Sequence, residues 1–346
     1  MTGPATEWVP DVLPGFWQRT LALGPDPDGE GEIAATLVRL GDPTPNASNA
    51  PLIGAVLAVH GYTDYFFHTE LAGHLAARGF AFYALDLRKC GRSRRPGHTP
   101  HFISDLAHYD AELTRALNII AAETSDVSTV VYGHSTGGLI VALWLERLRR
   151  LQPRTHARIN GAVLNSPFLD LHGPAIVRTT ATSMLLATLA RLRRMGALPG
   201  QGGGGYGASL HRDHHGEFDY NLTWKPLGGF PITLGWLHAV RRGQRRLHRG
   251  LDIGVPYAVL HSGHSVAEHT DAATLQRGDA VLDVTQIAHW AGCIGKRGAV
   301  MAVPDAKHDV FLSLPGPRQV AYTALDRWLD AHLTAPTGAS ASTDKE

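Results

Sequence analysis

The chain has 346 residues, of which 44% are hydrophobic and 18% charged. That composition supplies a large apolar core and excludes a wholly disordered, collagen-like or supercharged polypeptide. With 32 Lys and Arg against 31 Asp and Glu the formal charge is +1, so no global field favours nucleic acid or an anionic membrane, and such partners would have to be read from local patches. Two cysteines, Cys90 and Cys293, cannot form a disulfide framework. The length exceeds that of a usual single domain, which leaves one enlarged domain with an insertion, or two domains.

The opening MTGPATEWVPDVLPGFWQ carries acidic residues and prolines but no apolar stretch, so it does not read as a secretory signal. No run of 18 apolar residues suggests a membrane-spanning helix, and the expectation is a soluble, cytoplasmic protein. Ile33 to Leu40 has a strand-like pattern, and a Pro/Asn/Ser loop over 41–51 separates it from the apolar run Leu52 to Val59. A run of this kind bounded by turn residues predicts a strand buried on both faces of a parallel sheet. The pattern recurs at Phe80 to Leu87, Thr129 to Tyr132, Ile159 to Leu164, Pro256 to His261 and Ala299 to Val303. Helical spacing fills the intervals at Thr69 to Arg78, Ile103 to Thr124, Leu139 to Leu151, Val284 to Ala291 and Gln319 to Leu333. Alternation of this sort predicts a mostly parallel, doubly wound α/β sheet.

Residues 169–250 interrupt the rhythm. Pro174 to Met195 reads as a helix, PGQGGGGYG (199–207) as a flexible loop and Leu234 to Arg249 as a basic helix. Strand pattern resumes at Pro256, so this stretch is expected to be a mainly helical cap inserted into a core made of 1–168 and 251–333. The tail 334–346 has too little apolar surface to order itself.

Gly133-His134-Ser135-Thr136-Gly137 matches G-x-S-x-G, with strand pattern before it and helix pattern after it. A strand-to-helix turn this tight holds its serine strained and exposed, and glycines on both sides relieve collisions. A serine hydroxyl needs a base, and the base needs an acid to orient it. His308, in Pro304-Asp305-Ala306-Lys307-His308-Asp309 after the last strand, is the expected base. For the acid, Asp279 in Gly278-Asp279-Ala280-Val281-Leu282-Asp283 is favoured because Asp283 suits the N-cap of the next helix. Asp271 is its rival, with Glu268 behind. Backbone N–H groups of Thr136 and of Tyr62, in His60-Gly61-Tyr62-Thr63-Asp64, are the expected oxyanion donors.

Taken together, HGYTD, ALDLRKCGRS, GHSTGG, GDAVLD and AKHDVFLS resemble the α/β-hydrolase superfamily, and within it the branch of monoacylglycerol lipases, lysophospholipase-like hydrolases and the serine aminopeptidase S33-type domain. The resemblance covers roughly 30–170 and 251–333. It implies the α/β-hydrolase fold, cleavage of a carboxylic ester through Ser135, His308 and Asp279, and no metal or organic cofactor. The family places its acid at the first Asp of a D-x-x-x-D pattern, here Asp279. Aminopeptidase, thioesterase or acyltransferase chemistry on the same triad, and a ligand-binding protein that has lost turnover, are the competing readings.

The inserted stretch is expected to supply an acyl pocket from Met184, Leu185, Leu189, Phe218, Trp224, Phe230 and Trp236. The expected partner is a small, largely apolar ester; oligomeric state is not legible. His211 to Glu217 has the composition of a metal site but reads equally well as a polar loop. Arg241, Arg242, Arg245, Arg246 and Arg249 read first as a solvated helix face, with an anionic head group or membrane surface as the alternative. Gly202 to Gly205 lacks the Lys-Ser/Thr of a phosphate loop, and Cys90 is expected to be structural.

Overall fold

A computed structural model describes residues 7–43, 51–173, 175–198 and 203–333. Pro174, Gly202 with the rest of 199–202, residues 44–50 of the Pro/Asn/Ser loop and the tail 334–346 lie outside the described residues.

The described strands form one nine-stranded sheet. They are β1 (Val9–Pro10), β2 (Phe16–Pro25), β3 (Glu32–Leu40), β4 (Gly54–Val59), β5 (Phe80–Asp86), β6 (Thr129–His134), β7 (Ile159–Asn165), β8 (Tyr257–Ser262) and β9 (Gly298–Val303), in the order β1-β2-β3-β5-β4-β6-β7-β8-β9. The first three strands are antiparallel, β3 joins β5 antiparallel, and every pair from β5 to β9 is parallel. The helices are α1 (Thr69–Ala77), α2 (Asp110–Glu123), α3 (Thr136–Leu151), α4 (Pro153–His156), α5 (Thr180–Leu192), α6 (Gly205–Leu210), α7 (Leu234–His248), α8 (Ala272–Leu275), α9 (Val284–Ala291) and α10 (Pro315–His332).

The sheet is covered on both faces, which is why a central strand such as β4 is apolar and buried at every position. From β4, Ala55, Leu57 and Val59 pack with α2, α3 and α7, through Leu113, Leu117, Leu139, Trp144 and Val240. Val56 and Ala58 point the other way, toward Leu71 and Leu75 of α1 and Leu325, Trp328 and Leu329 of α10. Several expectations change in detail. The antiparallel β1–β2 pair was not foreseen, because its residues mix polar and apolar types on an edge. β9 alternates between exposed and half-buried up to the buried Val303 instead of being buried on both faces, because it closes the sheet on the other side. Ile103 to Thr124 is not one helix: a 3-10 turn over Leu106–Tyr109 precedes α2. The helix expected from Pro174 to Met195 is likewise split, into a 3-10 turn at Ala175–Arg178 and α5.

The connection from β7 to β8 carries α5, α6 and α7. Thr179 and Thr233 cap α5 and α7 by accepting from the N–H groups of Thr182 and Trp236. Part of the glycine stretch read as flexible is ordered: Gly205, Tyr206 and Gly207 begin α6. Its backbone is packed too tightly for side chains, since a Cβ at Gly205 would come 2.5 Å from the Glu268 carbonyl and one at Gly207 2.5 Å from that of Leu227. The loops at the carboxyl ends of β4, β6, β8 and β9 gather under this connection, where ligands bind in open α/β sheets.

Burial sets the expected response to truncation. Leu57, fully buried in the central strand, should cost about 2–5 kcal/mol of unfolding free energy as Leu57→Ala. Val300 on β9, 46% exposed, should cost under about 0.5 kcal/mol as Val300→Ala. Denaturant titration measures both.

Candidate active site

Ser135 sits between β6 and α3 at φ 53° and ψ −120°, a conformation that an L-residue adopts only when its surroundings enforce it. The enforcement is visible in the glycines. A Cβ at Gly133 would approach the Gly137 carbonyl oxygen and Gly138 Cα to 2.8 Å, one at Gly138 would meet Pro167 at 2.7 Å, and one at Gly137 would collide with the carbonyl oxygens of Val59 and His60. The Ser135 N–H donates to the Asn165 carbonyl (2.9 Å), and its own carbonyl accepts from Gly138 (3.0 Å) and Phe168 (2.9 Å). The G-x-S-x-G turn is therefore clamped between β4 and β7.

Gly61 brings the loop after β4 against the serine: its Cβ would lie 2.9 Å from Ser135 Cβ. His60 staples that turn, with Nε2 accepting from the Leu87 N–H (3.1 Å) and Nδ1 2.8 Å from the Gly61 carbonyl. Tyr62, Ser135, Thr136 and His308 line one cavity of about 370 Å³.

His308 Nδ1 is 2.8 Å from Asp279 Oδ2, and both side chains are buried. The other carboxylate oxygen of Asp279 accepts from the N–H groups of Val281 and Leu282, each at 2.8 Å. The backbone of Asp279 is held as well, donating to the His264 carbonyl (3.0 Å) and accepting from Val266 (2.9 Å). His308 Nε2 is buried and has no hydrogen-bond partner among the described residues. The arrangement leaves one ring nitrogen oriented by a carboxylate and the other free beside the serine cavity. Asp271, the rival acid, is exposed and caps α8 by accepting from Thr274 N–H and Oγ1. Asp283 caps α9 through Thr285. Glu268 lines the cavity without reaching His308.

Groups that sequence reasoning did not single out complete the surroundings. The His134 ring lies 4.9 Å from that of His308, and Tyr206 of α6 meets His308 edge-on at 5.6 Å. Tyr206 Oη also accepts from the Asp309 N–H. Asp309 is buried, bonded to Asn165 and paired with His68; burial opposes its charge, but His68 and His134 outweigh this and hold it well below the usual carboxylate range. Burial pushes His134 down to about 4, so this ring is neutral near pH 7. Lys307, bonded to the Ser209 carbonyl and Gln276, is pushed down to about 8 by burial. None of these contacts has a local sequence signal, since each joins segments far apart in the chain.

Of the residues expected to form an acyl pocket, Phe230 and Trp236 line the cavity. Met184, Leu185 and Leu189 do not: they lie on the outward face of α5 and are 66%, 60% and 40% exposed. The helical period placed them on one face, but α5 packs on α7 through its opposite side. Trp224 packs on Tyr65 and Arg92, and Phe218 lies against Lys307 and Arg318, so neither lines the cavity. Phe168, Leu171, Leu227 and Leu237 line it instead.

Three of the five arginines in the basic stretch are paired with carboxylates. Arg241 is buried on Asp170, Arg242 pairs with Asp105 and Arg246 with Glu146, which leaves these three without charge to offer an anionic head group. No group of three or more His, Cys, Asp or Glu among the described residues is placed to hold a metal; His211 is used within its own loop, with Nε2 3.3 Å from the Tyr220 carbonyl. Cys90 is buried 3.2 Å from His101 Nδ1, and burial raises its thiol well above the ordinary value, as suits an unreactive position.

Comparison with known proteins bears on the fold and the family. A monoacylglycerol lipase of Mycolicibacterium smegmatis is 29% identical over 139 residues, a stretch that covers 40% of this chain and only 46% of that relative. Among solved structures, a soluble variant of monoglyceride lipase from Saccharomyces cerevisiae superposes with a TM-score of 0.61 at 17% identity, over 96% of this chain and 97% of that one. The monoacylglycerol lipase of Paleococcus ferrophilus gives 0.57 at 20% identity, over 82% and 96%. A carboxyl esterase from Bacillus coagulans gives 0.61 at 12%, over 92% and 99%. At these identities the structures establish the α/β-hydrolase fold. The model of the serine aminopeptidase S33 family matches residues 50–278, more than half of the chain, and the protein belongs to that family of α/β-hydrolases.

Proposed function

We propose that the protein is a serine hydrolase that cleaves a carboxylic ester of a largely apolar substrate, of the monoacylglycerol type. The observation that carries this reading is the buried His308–Asp279 pair, aimed into the cavity that Ser135 lines in its strained turn.

In the proposed reaction His308 Nε2 takes the proton of Ser135 Oγ as the oxygen attacks the ester carbonyl. Asp279, fixed by the N–H groups of Val281 and Leu282, keeps Nδ1 protonated and stabilises the imidazolium. Negative charge on the tetrahedral oxygen is received by the Tyr62 and Thr136 N–H groups, donors of a kind worth about 3 kcal/mol each; Thr136 opens α3, so the helix dipole adds to the effect. Collapse of the intermediate breaks the C–O bond, and His308 returns the proton to the leaving alkoxide. Water then repeats the sequence on the acyl-enzyme, releasing the acid and restoring Ser135. Every proton is moved by His308, so no cofactor is called for.

The β7–β8 connection acts in this reading as the cap over the acyl pocket, with Phe168, Leu171, Phe230, Trp236 and Leu237 against the chain of the substrate. The outward face of α5, with Met184, Leu185 and Leu192 exposed, suits contact with a lipid aggregate, and no Asp or Glu occurs between Asp170 and Asp213 to oppose an anionic surface. A second reading, cleavage of an N-terminal aminoacyl bond, is favoured by one feature: Glu268 on the cavity wall offers a carboxylate to a substrate ammonium. Aminoacyl anilides compared with monoacyl esters of graded chain length separate the two, and faster turnover of the anilides would overturn the ester reading.

Ser135→Ala should lower ester turnover by about 10⁴-fold or more while leaving the thermal midpoint near that of the parent; retained activity would remove Ser135 as nucleophile. For the acid, Asp279→Asn should reduce kcat by about 10³–10⁴-fold, whereas Asp271→Asn, at an exposed helix cap where the amide oxygen can still accept from Thr274, should leave kcat within about twofold and stability within about 0.5 kcal/mol. Steady-state kinetics and thermal melts of both variants check the assignment.

A further inference from the structure

Four consecutive residues after Gly61 each hold a different residue of the β7–β8 connection. Tyr62 Oη donates to the Pro231 carbonyl (2.7 Å), Thr63 Oγ1 accepts from the Phe230 N–H (2.9 Å), Asp64 Oδ1 accepts from the Lys225 ammonium (2.8 Å) and Tyr65 Oη accepts from the Asn221 N–H (2.7 Å). The partners descend in number as the turn ascends, so the two segments run side by side in opposite directions. The turn is not held by local preference: Thr63 has φ 50°, a region that a β-branched residue rarely enters.

One of these four contacts is ionic, and it is buried. Asp64 is 4% and Lys225 8% exposed, and the ammonium lies 5.6 Å and 5.8 Å from the ring centroids of Phe67 and Tyr220. Burial works against the Asp64 charge, but Lys225, followed by His134 and His60, overcomes it and holds the carboxyl near 2. A buried pair broken on one side leaves an uncompensated charge and is far more damaging than loss of both partners. Here the lone charge would be a carboxylate two residues beyond the Tyr62 N–H and on the wall of the same cavity, where it would oppose negative charge developing on a substrate oxygen.

We propose that the Asp64–Lys225 pair is the positioning device of the oxyanion turn: it ties residues 61–65 to the β7–β8 connection and neutralises a carboxylate on the wall of the cavity where the oxyanion develops. Lys225 acts through the turn and is a positioning residue. The catalytic consequence rests on the serine-hydrolase reading, while the tether itself does not.

The test uses the full chain with p-nitrophenyl butyrate as substrate, phenylboronic acid as a tetrahedral ligand of the serine, and hydrogen exchange of the peptide 60–66. Lys225→Met should lower kcat about 30-fold or more with KM within about threefold, and should weaken phenylboronic acid by a comparable factor. Lys225→Arg, which keeps the charge, should stay within about fivefold of the parent. Asp64→Asn/Lys225→Met, which leaves no lone charge, should recover at least about fivefold of the kcat lost in Lys225→Met. Exchange over 60–66 should quicken in both variants that lack the ammonium. A raised KM at unchanged kcat would make Lys225 a substrate-binding group and overturn the proposal, as would unchanged kcat with unchanged exchange. If Lys225→Met does not fold, the double variant decides by the same exchange readout against the parent. If the parent shows no ester turnover above Ser135→Ala, the functional reading fails, and quickened or unchanged exchange still supports or overturns the tether.

Discussion

The close approach of the turn at Ser135 to the end of β4 is the constraint on which the rest of the site depends. Gly137 lies under the carbonyl oxygens of Val59 and His60, Gly133 against Gly137 and Gly138, and Gly138 against Pro167. No side chain beyond hydrogen fits at these positions, so β4, β6 and β7 meet at van der Waals distance just where their carboxyl ends open to the cavity. That contact sets the serine in a conformation it would not choose, and it sets the neighbouring Gly61 turn at a fixed distance from it. The strain is local; the packing that sustains it is the full parallel sheet with helices on both faces.

Around this centre the chain uses buried polar pairs to place loops that have no regular structure of their own. Asp279 is fixed three ways, by the Val281 and Leu282 N–H groups, by the backbone bridge to 264–266 and by His308. Asp309 ties the His308 loop to Asn165 of β7 and to His68. Lys307 bonds the Ser209 carbonyl at the end of α6 and Gln276 after α8. Asp64 and Lys225 join the turn after β4 to the β7–β8 connection. Each is a charge removed from water and held by a specific partner, an arrangement worth little net stability but demanding in geometry. Such pairs suit a region where precise placement matters more than added stability.

The same logic explains which residues of the connection could be read in advance and which could not. Phe230 and Trp236 are on the cavity wall, whereas Met184, Leu185 and Leu189 face outward. An amphipathic period tells that a helix has an apolar face; it does not tell whether that face meets the core, a ligand or solvent. α5 buries Ser183 and Ala190 against its neighbours, so its larger apolar side chains are left on the other side. Tyr206 was hidden for a different reason: a glycine-rich stretch reads as flexible, yet here the glycines allow α6 to pack on the Glu268 and Leu227 carbonyls and present that ring to His308.

What the sequence determined by itself is the part governed by local rules. Apolar runs separated by helical spacing dictate a parallel α/β sheet, G-x-S-x-G between strand and helix dictates a strained serine, and the loop after the last strand carries His308. The assignment of Asp283 to a helix cap also follows local chemistry, since it accepts from an N–H two residues on, whereas the cap role of Asp271, read from the sequence as a rival acid, is seen only in the structure. Only the tertiary structure decided which carboxylate meets His308, which aromatic rings reach the cavity, and which arginines of α7 are spent on Asp170, Asp105 and Glu146. Those outcomes depend on contacts between segments tens to hundreds of residues apart, and their energies come from burial and pairing that exist only once the sheet has brought the loops together.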